Sequence, residues 1–72
     1  MLLKHEWYVI KKGNLYLMGV PYDDSSFMRW TNSPYDGYRT KSFNTAIRVA
    51  KLTGCKVVKH NTLNGRVEGG WK

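Results

Sequence analysis

One segment of this chain has the apolar spacing of an α-helix, and strand-like runs lie on both sides of it. Its apolar residues recur at positions i, i+3, i+4 and i+7: Phe43, Ala46, Ile47 and Ala50. Ser42 is placed to cap the N-terminus of this helix, and Gly54 is placed to end it. The sequence therefore predicts one helix between Ser42 and Gly54 that buries a single stripe.

The runs around the helix are rich in aromatic and β-branched residues, which is typical of strands. They cover residues 6–11, 15–20, 27–31 and 55–59. The first two flank a Gly-Asn turn and predict a β-hairpin, while residues 35–40 are predicted to form a loop whose last three residues can pair briefly with a strand edge. The order β-β-β-α-β predicts an α+β fold, a small antiparallel sheet with one helix packed on one face. We expect Val9, Leu17 and Val57 to contact that helix.

The chain has 72 residues, which is enough for one small hydrophobic core. We therefore predict a single α+β domain at 1–63. Residues 64–72 contain three glycines and little periodicity, and they are predicted to be a flexible tail. The lone cysteine, Cys55, has no partner for an internal disulfide, which fits a reducing compartment. No run is apolar enough for a membrane span, so we expect a cytoplasmic protein without membrane contact.

The positive charge is confined to the second half of the chain. Residues 1–37 contain four basic and four acidic residues, whereas residues 38–72 contain eight basic residues and one acidic residue. The net charge of +7 therefore lies in the second half. Such a field attracts polyanions or acidic protein surfaces.

Catalytic and metal chemistry have little support in this sequence. Asp23 and Asp24 are adjacent in a turn-like stretch, so their side chains diverge rather than act as an acid and base pair. Cys55 with His5 or His60 is a conceivable nucleophile and base, but a small buried residue at the start of a strand explains Cys55 more simply. One cysteine and two scattered histidines do not build a zinc shell. We expect a non-enzymatic protein without a metal or cofactor.

The predicted partner-binding surface combines the basic helix face with the loop before it. Its residues are Tyr35, Tyr38, Arg39, Lys41, Arg48 and Lys51. Basic side chains mixed with tyrosine are typical of hot spots in protein interfaces. The same residue types also suit phosphate contacts and base stacking, so nucleic acid is an alternative partner. A third interpretation is that the tyrosines only cover the edge of the core.

Several stretches of this chain resemble small bacteriophage early proteins. They are the start Met1-Leu2-Leu3-Lys4, the hairpin Trp7-Tyr8-Val9-Ile10 with Leu15-Tyr16-Leu17, and the stretches Phe43-Asn44-Thr45-Ala46 and Gly54-Cys55-Lys56-Val57-Val58. In length and charge the chain is similar to the Xanthomonas-phage transcription regulator that binds host RNA polymerase. The resemblance covers the layout of the whole chain and contains no diagnostic motif, so it assigns no contact residues.

This resemblance implies a non-enzymatic factor of the host bacterial cytoplasm that takes part in host takeover. Such a factor would bind the large subunits of host RNA polymerase, inhibit initiation and favour antitermination. Two alternatives remain open at the level of the sequence. One is a small basic DNA- or RNA-binding module, and the other is an inhibitor of a host defence complex.

Overall fold

A computed structural model describes residues 2–18 and 29–71. Within these residues the elements are β1 (Glu6–Lys12), β2 (Leu15–Leu17), β3 (Trp30–Thr31), β4 (Arg39–Thr40), α1 (Phe43–Thr53), β5 (Lys56–Asn61) and β6 (Val67–Trp71). The α+β class is confirmed, with one helix packed against an antiparallel sheet. The turn predicted around Asp23 and Asp24, and the outer strand ends predicted at 19–20 and 27–28, lie outside the described residues. No helix of the described part of the chain is long and apolar enough to cross a membrane.

Strand β1 is the centre of the sheet. The strand order is β3-β2-β1-β5-β6, and β4 also pairs with β1. The ladder between β1 and β5 is the longest and runs from the pair Glu6 and Asn61 to the pair Lys11 and Lys56. Strands β2 and β4 share the other edge of β1, and β4 confirms the brief pairing expected near residue 39.

Helix α1 begins and ends where its caps predict. Oγ of Ser42 accepts a hydrogen bond from the backbone N–H of Thr45 at 3.2 Å, and Gly54 ends the helix in the left-handed conformation. The buried stripe differs from the prediction and consists of Ala46, Val49, Ala50 and Thr53. Ile47 is only partly buried and Phe43 is 38% exposed. The side chains of α1 that contact the sheet are mostly small. The larger side chains, Phe43 and Ile47, therefore lie toward the edge of the contact between helix and sheet.

The sheet has apolar residues on both faces. On the helix side, Ile10, Leu17 and Val57 pack with the buried residues of α1. On the opposite side, Val9, Tyr16 and Val58 form a second cluster. The predicted contact of Val9 with the helix is therefore wrong, because neighbouring residues of a strand point to opposite faces and Ile10 faces α1.

The segment predicted to be a flexible tail contains strand β6. Residues 67–71 pair with β5, with Val67 opposite His60 and Glu68 opposite Lys59. Gly69 has φ 91°, and a Cβ there would lie 2.5 Å from Cη2 of Trp71, so only glycine lets the indole fold back over the strand. That indole meets Tyr8 and Phe43 edge-on at centroid distances of 6.4 and 5.9 Å. These contacts join the segment to β5 and to the side chains beside it, although it has no periodicity of its own.

Candidate functional site

The sheet face opposite the helix brings together basic and aromatic side chains from four segments. We call this cluster the Trp7 platform and define it as Trp7, Tyr35, Arg39, Lys41 and His60. Trp7 on β1 stands directly opposite His60 on β5. Arg39 on β4 stands opposite Val9, so it shares the face of Val9 and Trp7 rather than the face of the helix.

Two cations lie over the ring of Trp7. The guanidinium carbon of Arg39 is 4.9 Å from the ring centroid, and the amine nitrogen of Lys41 is 4.2 Å from it. Attraction of this kind is worth about 0.5–1 kcal/mol at exposed sites, mainly through the electrostatic field of the ring. Arg39 and Lys41 are exposed while Trp7 is partly buried. The result is an electropositive surface with an aromatic base.

Lys41 also holds the N-terminal segment in place. Its amine donates hydrogen bonds to the backbone carbonyls of Leu3 at 3.2 Å, Lys4 at 2.8 Å and Glu6. A lysine amine has three N–H donors, so these bonds occupy all of them. Lys41 therefore contributes its charge to the platform, whereas the guanidinium of Arg39 makes no hydrogen bond with residues 2–18 and 29–71.

His60 lies at the base of the platform and is completely buried. Neither of its ring nitrogens has a hydrogen-bond partner among residues 2–18 and 29–71. The ring of Tyr35 covers it edge-on at a centroid distance of 4.6 Å. Burial lowers the pKa of His60, and the nearby charge of Arg39 lowers this pKa further. The imidazole is therefore neutral near pH 7 and adds no charge to the platform.

The loop between β3 and β4, residues 32–38, carries Tyr35 across this face. The backbone N–H of Tyr38 donates to the carbonyl of Leu17 at 2.7 Å, which ties the end of the loop to β2. A Cβ at Gly37 would lie 2.9 Å from that same carbonyl oxygen, so only glycine permits the close approach. The hydroxyl of Tyr35 reaches the carbonyl of Thr62 at 3.5 Å. These contacts hold Tyr35 over His60 while leaving it half exposed.

The six residues predicted to bind a partner are divided between two layers. Tyr35, Arg39 and Lys41 belong to the Trp7 platform. Tyr38 packs against the core on the helix side. Arg48 and Lys51 are exposed on α1, as predicted, but they lie in the helix layer on the other side of the sheet.

Trp7 and His60 were not predicted as site residues. Alternation along β1 places Trp7 on the same face as Val9, and this signal is present in the sequence. The position of His60 opposite Trp7 depends on the pairing of β1 with β5 across a long separation in the chain. No local pattern specifies that register.

On the helix side of the sheet, two carboxylates neutralise the charge of Lys59. Lys59 contacts the carboxylates of Glu6 and Glu68, each at 3.5 Å. The backbone N–H of Leu3 donates to Oε1 of Glu6 at 2.8 Å; this bond, followed by the charge of Lys59, lowers the pKa of Glu6. The charge of Glu6 in turn raises the pKa of Lys59. The carboxylates of Glu6 and Glu68 are thus directed to Lys59 and away from the platform.

Chemistry by a metal finds no support in the described residues, where no three His, Cys, Asp or Glu side chains come together. Comparison of the chain with protein-family models, curated proteins and solved structures finds no match. The candidate site therefore depends on its own geometry and charge.

Proposed function

We propose that this protein is a non-enzymatic binding factor of the host bacterial cytoplasm that docks the Trp7 platform on an acidic surface of host RNA polymerase. The single observation that supports the Trp7 platform as the docking surface is the stacking of Arg39 and Lys41 on Trp7 at an exposed face. The resemblance to phage transcription regulators supplies the partner. On this proposal the bound protein inhibits initiation and favours antitermination.

The composition of the platform supports a protein partner. Arginine, tryptophan and tyrosine are the residues most enriched at interface hot spots, and all three occur here. Within residues 2–18 and 29–71 both ion pairs are made by Lys59, so Arg39 keeps its charge for an acidic partner. The net charge of +7 speeds encounter with such a surface.

The residues predicted to bind a partner lie in two layers of the fold. Variants of each layer can therefore be compared in a transcription assay with purified host polymerase. The wild type is expected to alter initiation or termination. Arg39→Glu should abolish this effect because it reverses the free charge of the platform, and Arg39→Gln should weaken it. The matched variant Arg48→Glu/Lys51→Glu changes two charges on the helix layer and should keep most of the effect. Loss with the helix variant alone would move the interface to α1, and an inactive wild type would refute the polymerase as partner.

A further inference from the structure

A groove lies at the end of the sheet, away from the Trp7 platform. It forms where the turn between β1 and β2, the C-terminus of α1 and the adjoining parts of β5 and β6 meet, and its volume is about 410 Å³. Among the described residues, three lysines line it, Lys11, Lys12 and Lys56, together with four glycines. No carboxylate of the described residues lines the groove. We call it the lysine groove.

The register between β1 and β5 places two of these lysines directly opposite each other. Lys11 and Lys56 are directly paired across β1 and β5. Like charges at directly opposed positions of an antiparallel pair destabilise a sheet. Of the described carboxylates, Glu6 and Glu68 are engaged by Lys59, and Asp36 lies in the 32–38 loop. An anion bound in the groove would relieve the repulsion between Lys11 and Lys56.

Two of the three lysines lie beside aromatic rings. The amine of Lys11 lies 5.8 Å from the ring centroid of Tyr16, and the amine of Lys12 lies 6.0 Å from that of Trp30. The C-terminus of α1 directs the negative end of its dipole at the groove, which opposes anion binding. That end is equivalent to roughly half a unit charge, so three lysine charges outweigh it.

Two of the three groove lysines, Lys11 and Lys56, share a sheet face with the Trp7 platform, whereas Lys12 lies on the helix side with Trp30. Lys11 pairs with Tyr16 on the face opposite the helix, and Lys56 follows the same register. Lys11 lies four positions after Trp7 on β1, a distance of about 13 Å along a strand. Basic and aromatic side chains therefore lie at both ends of this face, and the buried pair Val9 and Val58 lies between them. Grooves that follow a single nucleic-acid strand combine these two elements, positive charge for the backbone and rings for the bases.

We propose that the lysine groove binds backbone phosphates of single-stranded nucleic acid, which continues toward the Trp7 platform. The proposal goes beyond the polymerase partner and does not depend on it. It predicts that the protein binds an oligonucleotide without any other protein present.

Fluorescence anisotropy with a labelled single-stranded oligonucleotide tests this proposal. The variant Lys11→Gln/Lys12→Gln/Lys56→Gln should bind about tenfold or more weakly than the wild type. The slope of log K against log salt should also become shallower by about 2, because each phosphate that a lysine no longer neutralises removes roughly 0.7 from it. The control Lys4→Gln/Arg48→Gln/Lys51→Gln removes the same charge outside the groove. It should lose less than about threefold in affinity.

A second variant leaves all three lysines in place. A Cβ at Gly70 would meet only Cδ of Lys56, at 4.0 Å, so a side chain introduced there begins without a clash and beside Lys56. Gly70→Glu should weaken oligonucleotide binding by placing a carboxylate beside Lys56, whereas Gly70→Gln should not. This pair keeps the test valid if the lysine variant folds poorly.

Three outcomes would overturn the proposal. Equal losses in the groove and control triple variants would show that binding follows net charge alone. Inorganic triphosphate that competes as strongly as the oligonucleotide would make the groove a site for free polyphosphate instead. No binding by the wild type at low salt would remove the site altogether. Because the assay contains no polymerase, each of these outcomes is independent of the Arg39 transcription experiment.

Discussion

The two faces of the sheet are covered by different means. On one face, helix α1 closes a core of aliphatic side chains and alanines. On the other, the 32–38 loop brings Tyr35 over a buried imidazole, and Arg39 and Lys41 stack on Trp7. The helix layer uses apolar burial, which has no directional requirement. The opposite layer depends on ring geometry, charge and close backbone contact, and it contains a buried histidine that has no hydrogen-bond partner among residues 2–18 and 29–71.

The largest expected effect belongs to the helix-side core. Ile10 is fully buried between the sheet and α1, so Ile10→Ala should lower the free energy of unfolding by about 2–5 kcal/mol. Tyr35 covers the other face but is half exposed, and Tyr35→Ala should cost about 1 kcal/mol. Urea unfolding of both variants measures the difference. Equal losses would mean that the loop layer contributes as much stability as the helix layer.

A second expected effect is a pH dependence of stability that arises from His60, on the face opposite the helix. The pKa of His60 is lowered in the folded protein, so the unfolded chain binds a proton first as the pH falls below the ordinary value of 6.5. Stability should therefore be full above that pH and decline as the pH falls toward the folded pKa. His60→Leu should remove this decline and be neutral or stabilising at neutral pH, since it replaces a buried polar group without a partner in the described part of the chain.

The control for this pH experiment is Glu6 on the helix side. Its pKa is also lowered, so its contribution is present above the ordinary value of 4.5 and is lost below it. This second decline should remain in His60→Leu. Urea midpoints measured from above pH 6.5 to below pH 4.5 would show both declines in stability. If His60→Leu still lost stability just below pH 6.5, another group on the protein would be responsible for that decline.

The smallest expected effect concerns β6, at the edge of both faces. The ring of Trp71 is 40% exposed, so Trp71→Ala should cost about 1 kcal/mol, the scale of its aromatic contacts. In the wild type, NMR order parameters near 0.85 through Gly69 and Gly70 would match the paired strand. Values below about 0.6 would instead support the flexible tail predicted from the sequence.

Local sequence patterns determined the helix-bearing half of the architecture. The caps at Ser42 and Gly54 and the hairpin around Gly13 act through neighbouring residues, so the sequence alone predicted one helix, the first hairpin and the α+β class. It also placed Arg48 and Lys51 on the exposed side of α1. Short-range hydrogen bonds and helical spacing are enough for all of these features.

Tertiary structure decided the candidate sites. The stacking of Arg39 on Trp7, the burial of His60 and the pairing of Lys11 with Lys56 all depend on strand register between distant parts of the chain. Strand β6 likewise forms because β5 offers it an edge and because Gly69 lets Trp71 fold back. A strand has no hydrogen-bond partner within itself, so its neighbours, and the side chains that they bring together, are set only when the whole sheet assembles.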